Sequence, residues 1–145
     1  MGRQVAGGIL ALLFLASACG GTEEDAGPFP AECGLPSPRP NAEARRDLIP
    51  EAFLLADKAV IRAIEREGSR IVAQLNLPFT VDEAFDLYKD ATATDYAIIS
   101  EDNEGFEAEI YLRALEKNTL AAVQIRKPRC EVATSAFVSI ELNPE

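Results

Sequence analysis

Apolar and polar residues alternate along five stretches of the chain: residues 70–77, 96–101, 106–113, 120–126 and 136–142. A two-residue period is typical of a β-strand with one buried face, because successive side chains point to opposite sides of the strand. The turn-forming residues Asp102 to Gly105 separate the second stretch from the third, so we expect a hairpin there. The pattern predicts five strands in an antiparallel arrangement.

A different period begins after Pro78. Thr80 is followed three residues later by Glu83, the spacing of a capping box in which each side chain bonds the other residue's backbone N–H. Apolar side chains then recur every three or four residues, at Val81, Ala84, Phe85, Tyr88 and Ala91. The sequence predicts an amphipathic helix that begins at Val81 and lies on the sheet.

Residues 50–67 fit two interpretations. Pro50 suits a first helical turn, apolar residues recur there at helical spacing, and Gly68 could end a helix. Residues 60–77 also read as two strands around a turn at residues 66–69. Either interpretation predicts an α+β domain over residues 41–145, with an antiparallel sheet of five to six strands and one amphipathic helix packed on one face.

The first 18 residues have the features of an export signal. Arg3 precedes the apolar run Val5 to Leu15, which is too short for a permanent membrane span. The run ends in Leu15-Ala16-Ser17-Ala18-Cys19, which resembles the lipobox of bacterial lipoproteins. The resemblance implies that residues 1–18 are a lipoprotein signal peptide and that Cys19 receives the lipid. An ordinary secretion signal and an uncleaved anchor are the alternatives.

Residues 19–40 read as a tether, first acidic and Gly-rich, then stiffened by five Pro between residues 28 and 40. The lipobox resemblance implies an extracytoplasmic protein, lipid-anchored to the cell membrane or the outer membrane. Gly20 follows the lipid-bearing Cys where an inner-membrane retention signal would have Asp, which favours the outer membrane in a two-membrane cell.

The three cysteines are an odd number for an exported protein. With Cys19 as the lipid site, Cys33 and Cys130 remain as an even pair, and we predict a disulfide between them. The alternative is two free thiols.

The order of elements adds a second resemblance, over roughly residues 53–142. Phe53 to Ala59, then Val60-Ile61, a Gly turn, an alternating strand, Val81 to Tyr88, and a meander from Tyr96 resemble a group of small, largely uncharacterised bacterial envelope lipoprotein domains. The resemblance implies a hairpin, a helix and then antiparallel strands.

Charge and composition exclude several functions. Lys and Arg number 14 against 24 Asp and Glu, and this net charge of −10 argues against nucleic-acid binding. The chain has no His, no nucleophile elbow and no phosphate-cradling Gly loop. Asp82, Asp86 and Asp90 form a helical ridge that does not match a calcium loop, and Glu107 with Glu109 is the nearest approach to a hydrolase pair. We therefore predict a non-enzymatic protein with no catalytic, cofactor or metal residues.

The strand pattern singles out the sheet face turned away from the helix. It carries Tyr111, Arg113, Arg126 and Phe137 among polar residues, and aromatic and Arg side chains are enriched at protein interfaces. We predict that this face binds an envelope protein, as an adaptor would; the alternative is a solvated face.

A second functional class is a small-ligand or ion-binding envelope protein with a site between the helix and the sheet. Its apolar lining would be Phe85, Tyr88, Tyr96, Ile98 and Phe106. These residues are more simply interpreted as core.

Overall fold

The fold is α+β, as predicted. A computed structural model describes residues 33, 35, 37–55, 58–127 and 133–142, and over them the chain forms six strands and one α-helix. The elements are β1 (Val60–Glu67), β2 (Arg70–Leu77), α1 (Val81–Thr92), β3 (Tyr96–Asn103), β4 (Glu107–Ala114), β5 (Thr119–Arg126) and β6 (Thr134–Leu142). Two 3₁₀ helices, Ala42–Leu48 and Glu51–Leu54, precede them. The predicted signal peptide, Cys19, most of the predicted tether and Cys130 lie outside the described residues.

The six strands form one sheet in the order β1-β2-β6-β5-β4-β3, and every neighbouring pair is antiparallel. After the β1–β2 hairpin, α1 carries the chain to the far edge of the sheet. A meander then returns strand by strand until β6 pairs with β2, where Val138 lies opposite Ala73. The first and last parts of the domain therefore meet in the middle of the sheet.

The helix begins where the capping box predicts. The Glu83 backbone N–H donates to Thr80 Oγ1 over 3.3 Å, and the Thr80 backbone N–H donates to the Glu83 carboxylate over 2.9 Å. These bonds hold the pKa of the Glu83 carboxyl below its ordinary value, chiefly through the bond from the Thr80 backbone. The charged form of Glu83 is therefore favoured by folding.

Replacing Thr80 with Ala is expected to lower the free energy of unfolding by about 1 kcal/mol, the usual cost of removing an N-cap. Because the pKa of Glu83 is lowered on folding, its contribution is present above the ordinary pKa of a glutamate and is lost as the pH falls through the folded value. The free energy of unfolding of Glu83→Gln should therefore fall less than that of the wild type as the pH is lowered. Urea unfolding at several pH values tests both variants. If Glu83→Gln lost as much stability at acid pH as the wild type, the capping argument would be contradicted.

One continuous core lies between the sheet and the segments that cover it. The helix contributes Val81, Ala84, Phe85 and Tyr88 and packs over β3, β4 and β5. The first 3₁₀ helix packs against β1, and the second packs against α1. Since all these segments lie on one side, the sheet keeps one face free of helices among the described residues.

The helix interpretation of residues 50–67 is wrong, and the hairpin is observed. Between residues 50 and 67, the described residues form the short 3₁₀ helix Glu51–Leu54 and then β1, which begins at Val60. The β-branched residues Val60, Ile61 and Ile64 favour a strand once β2 is beside them to pair. Gly68 has φ of 61° and provides the left-handed residue of the two-residue turn between β1 and β2.

The expected core positions of Ile98 and Phe106 are also wrong. Ile98 pairs with the buried Leu112, but it lies on the edge strand, where little covers it. A β-bulge follows between Ile98 and Ser100, so Ser100 pairs with Tyr111 and lies on the face opposite to the one that strict alternation gives it. Ile98 is 43% exposed on the edge strand, and Phe106 precedes β4 in an exposed turn. Alternation alone does not show a bulge or an edge position, because neither changes the local sequence pattern.

Candidate functional site

The sheet face turned away from α1, which we call the open face, carries every residue of the predicted partner-binding site. Alternation and cross-strand register place its side chains opposite the buried ones of each strand. Its members on the four central strands are Arg70, Val72, Gln74, Asn76, Glu107, Glu109, Tyr111, Arg113, Leu120, Ala122, Gln124, Arg126, Ser135, Phe137, Ser139 and Glu141. Tyr111 and Arg113 lie on β4, Arg126 on β5 and Phe137 on β6.

Gln124 holds the acidic residues of the open face together. Its amide nitrogen donates to Glu107 Oε1 over 3.0 Å and to Glu109 Oε1 over 2.6 Å. The Tyr111 hydroxyl donates to the other Glu109 oxygen over 3.2 Å. This bond is the main reason that the pKa of Tyr111 lies above its ordinary value. The Glu107 and Glu109 carboxylates therefore serve as hydrogen-bond acceptors within the sheet.

The two predicted Arg residues have different surroundings. Arg126 Nε lies 3.0 Å from Glu107 Oε1, opposite it in register, so its charge is already paired on the face. Arg113 is exposed and forms no ion pair with any described residue. Arg113 is thus the better placed of the two to meet a carboxylate of a partner.

A shallow depression of about 270 Å³ lies between the two aromatic residues. Ala122 sits opposite Tyr111 in register, and Ser139 lies beside Ala122 on the next strand. These small side chains stand between the larger Tyr111 and Val72, while Phe137 and Gln124 border the depression from the adjacent row. Tyr111 is 45% exposed and Phe137 is half-buried, so the depression presents apolar area to solvent.

Arg126 lies outside this depression, beside Ser135 in the next row, and Arg113 lies at its other side, beside Leu120. The structure therefore brings Tyr111 and Phe137 together and places the two Arg residues on either side of them. The sequence pattern places Gln124 and Ser139 on the open face, but it does not predict that they lie with Ala122 beside Tyr111 and Phe137. Their significance depends on the pairing of β5 with β6, which local patterns do not reveal.

The other candidate residues are separated or engaged elsewhere. Asp82 of the helical ridge accepts a bond from the Asn103 side-chain amide over 2.9 Å, while Asp86 and Asp90 face solvent. Within the described ranges, no three His, Cys, Asp or Glu side chains gather closely enough to hold a metal ion. Phe85 and Tyr88, proposed as lining of a ligand site, are core residues.

Comparison with models of known protein families gives no match to this chain. Comparison with curated proteins gives none either. Over the part of the chain that the structure describes, no helix has the length and apolar character needed to cross a membrane.

Proposed function

We propose that the chain is a non-enzymatic, lipid-anchored lipoprotein of the bacterial cell envelope and that its domain binds a protein partner on the open face. The proposed location and lipid anchor rest on the lipobox-like sequence that ends at Cys19 and on the tether that follows it. A lipid anchor followed by a flexible tether holds a domain near a membrane while leaving it free to reach a partner.

The observation that carries the binding proposal is the depression between Tyr111 and Phe137, beside which lies Arg113, a residue with no ion pair to any described residue. Aromatic and Arg side chains around a concave apolar patch are the usual centre of a protein interface. The hydrogen bonds of Gln124 fix the adjoining carboxylates, so a partner would meet a face that is already ordered.

In-cell photo-crosslinking tests the binding proposal. A photoreactive residue at position 111 or 137 should capture a discrete partner, whereas one at Asp86, on the exposed side of α1, should not. The double variant Tyr111→Ala with Arg113→Ala should abolish capture from position 137, because truncating one hot-spot residue costs about 2 kcal/mol, or roughly 30-fold in Kd. Asp86→Ala with Asp90→Ala is the matched control. Equal and diffuse crosslinks from all positions would mean that the face is only solvated.

Intact-mass measurement on membrane-derived protein tests the proposed lipid anchor separately. The expected mass is that of the chain without residues 1–18, increased by a lipid on Cys19. A mass equal to all 145 residues without lipid would overturn the lipoprotein proposal. That result would leave the crosslinking test of the open face unaffected.

A further inference from the structure

The two edges of the sheet differ in how they are covered. At β1, the Arg39 backbone N–H donates to the Arg62 carbonyl over 2.9 Å, and the Arg45 side chain donates to the Ile64 carbonyl over 3.2 Å. At β3, no described residue hydrogen-bonds to the backbone on the outer side of the strand. An edge strand left in this state presents N–H and carbonyl groups to any extended chain that fits beside it.

The β3 edge also exposes apolar side chains. The consecutive residues Ile98 and Ile99 are both at the surface, 43% and 53% exposed, because Ile98 lies on the edge strand and Ile99 lies at the bulge. Lys or Pro protects many natural edge strands, and Tyr96–Asn103 contains neither; its charged residues are the acidic Glu101 and Asp102, and its bulge lies at Ile99. Away from the bulge, the edge keeps the outer backbone groups that strand pairing uses, and the apolar surface of Ile98 and Ile99 lies beside them.

The same edge lies in the most acidic part of the molecule. Residues 80–118 hold 11 of the 24 acidic residues and only three of the 14 basic ones. A second depression, of about 240 Å³, lies at the β3–β4 turn and is lined by Asp102, Glu104, Glu107, Ala108 and Glu109. Asp102 and Glu104 form no ion pair with any described residue.

The helix holds β3 in place from the buried side. Lys89 Nζ lies 2.8 Å from Glu101 Oε1, and the Asn103 amide donates to Asp82 over 2.9 Å. Both β3 residues are on the helix side because the bulge reverses the alternation after Ile98. An edge fixed in this way loses little freedom when a partner pairs with it.

We propose that the outer edge of β3 binds an extended, basic segment of a protein partner by strand addition. The backbone of the segment pairs with β3, one of its apolar side chains covers Ile98 and Ile99, and a Lys or Arg side chain enters the depression beside Asp102 and Glu104. The excess negative charge around β3 disfavours a second copy of this chain at the same edge. The proposal does not depend on lipidation or on binding at the depression between Tyr111 and Phe137, although Glu107 and Glu109 of the open face line the acidic depression.

The test uses the full chain and a synthetic eight-residue peptide of alternating Val and Lys. Binding is followed by fluorescence anisotropy, and backbone amide hydrogen exchange locates it. The peptide should slow the exchange of amides in Tyr96–Asn103 and leave β1 unchanged. The same peptide N-methylated at alternate residues on its pairing edge cannot form the ladder and should bind at least about tenfold more weakly.

Matched variants separate the two components of the proposed contact. Asp102→Asn with Glu104→Gln should weaken peptide binding about fivefold, while Asp86→Asn with Asp90→Asn, which removes the same charge from the helix, should have little effect. Ile99→Thr should weaken binding. Leu115→Thr should not, because Leu115 is 60% exposed but bonds to Asp95 from the β4 side rather than lying on the outer side of β3.

Three results would overturn the proposal: unchanged exchange in β3 with the peptide present, equal binding of the N-methylated peptide, or equal losses from the two charge variants. Protection of β3 that depends on protein concentration without peptide would instead identify a second copy as the occupant, and the basic partner would be rejected. Every one of these results leaves the open-face crosslinking test intact.

Discussion

Tyr88→Ala is expected to lower the free energy of unfolding by about 3–5 kcal/mol, the usual cost of truncating a large buried aromatic side chain. Tyr88 is completely buried on α1, and its hydroxyl donates to the Phe53 carbonyl over 3.1 Å. It therefore joins the helix to the second 3₁₀ helix as well as filling the core. Because whole domains are stable by only about 5–15 kcal/mol, the variant should lose a large fraction of its stability.

Tyr88→Phe separates the hydrogen bond from the packing. The ring remains and the Phe53 carbonyl loses its donor, so the expected cost is about 1–3 kcal/mol. Tyr111→Ala, on the open face, is the control for loss of a tyrosine. Apart from the loss of its cross-strand contacts, it should lower the free energy of unfolding by well under 1 kcal/mol. Denaturant unfolding followed by circular dichroism measures all three variants. Equal costs for Tyr88→Ala and Tyr111→Ala would contradict the role given to Tyr88.

The burial of Tyr88 also predicts how the stability of the protein changes at alkaline pH. Burial raises the pKa of Tyr88 well above its ordinary value. Its contribution to stability is therefore complete below the pKa of an unfolded tyrosine, about 10, and is lost progressively as the pH rises above that value. Tyr88→Phe should be less stable than the wild type at neutral pH but should lose less stability between neutral and alkaline pH.

Features encoded within a single element could be predicted from the sequence. The capping box of Thr80 and Glu83 places the start of α1 correctly, because both partners lie within one helical turn. The alternation along β4, β5 and β6 correctly separates buried from exposed side chains, because each strand has one face on the core. This local information is enough for the fold class and for the membership of the open face.

Features that depend on which strands meet could not be predicted. The pairing of β6 with β2 brings Ser139 beside Val72, and that contact joins residues far apart in the chain. The exposure of Ile98 depends on β3 being the edge strand, since the same alternating sequence at the centre of the sheet would bury it. The depression on the open face and the open edge of β3 both follow from this non-local arrangement.

The second large effect concerns Cys33, in the predicted tether, and Cys130, in the domain. Cys33 is completely buried, and Cys130 lies outside the described residues, so the disulfide between them stays a prediction. The bond would close a loop of 98 residues and connect the start of the domain to the segment that leads into β6. Cross-linking a loop of that length stabilises a protein by up to about 4.7 kcal/mol, mainly because it restricts the unfolded chain.

Removing the bond should therefore cost about 2–5 kcal/mol. Cys130→Ala and the double variant Cys33→Ala with Cys130→Ala should be destabilised to a similar extent, because each lacks the cross-link. Cys19→Ala should unfold at the same denaturant concentration as the wild type, because the predicted disulfide remains in this variant. A reducing agent should lower the stability of the wild type and of Cys19→Ala and leave both Cys130 variants unchanged.

The central position of β6 makes this comparison informative. Because β6 pairs with both β2 and β5, a cross-link just before it restrains the strand that joins the two halves of the sheet. Losing the bond should accelerate hydrogen exchange at Thr134 and its partner Leu77 more than at the distant β3–β4 pair. Titration of the denatured, unreduced protein should find no reactive thiol at Cys33 or Cys130. Two reactive thiols there, or an exchange increase spread evenly over the sheet, would show that the domain is held together by its core alone.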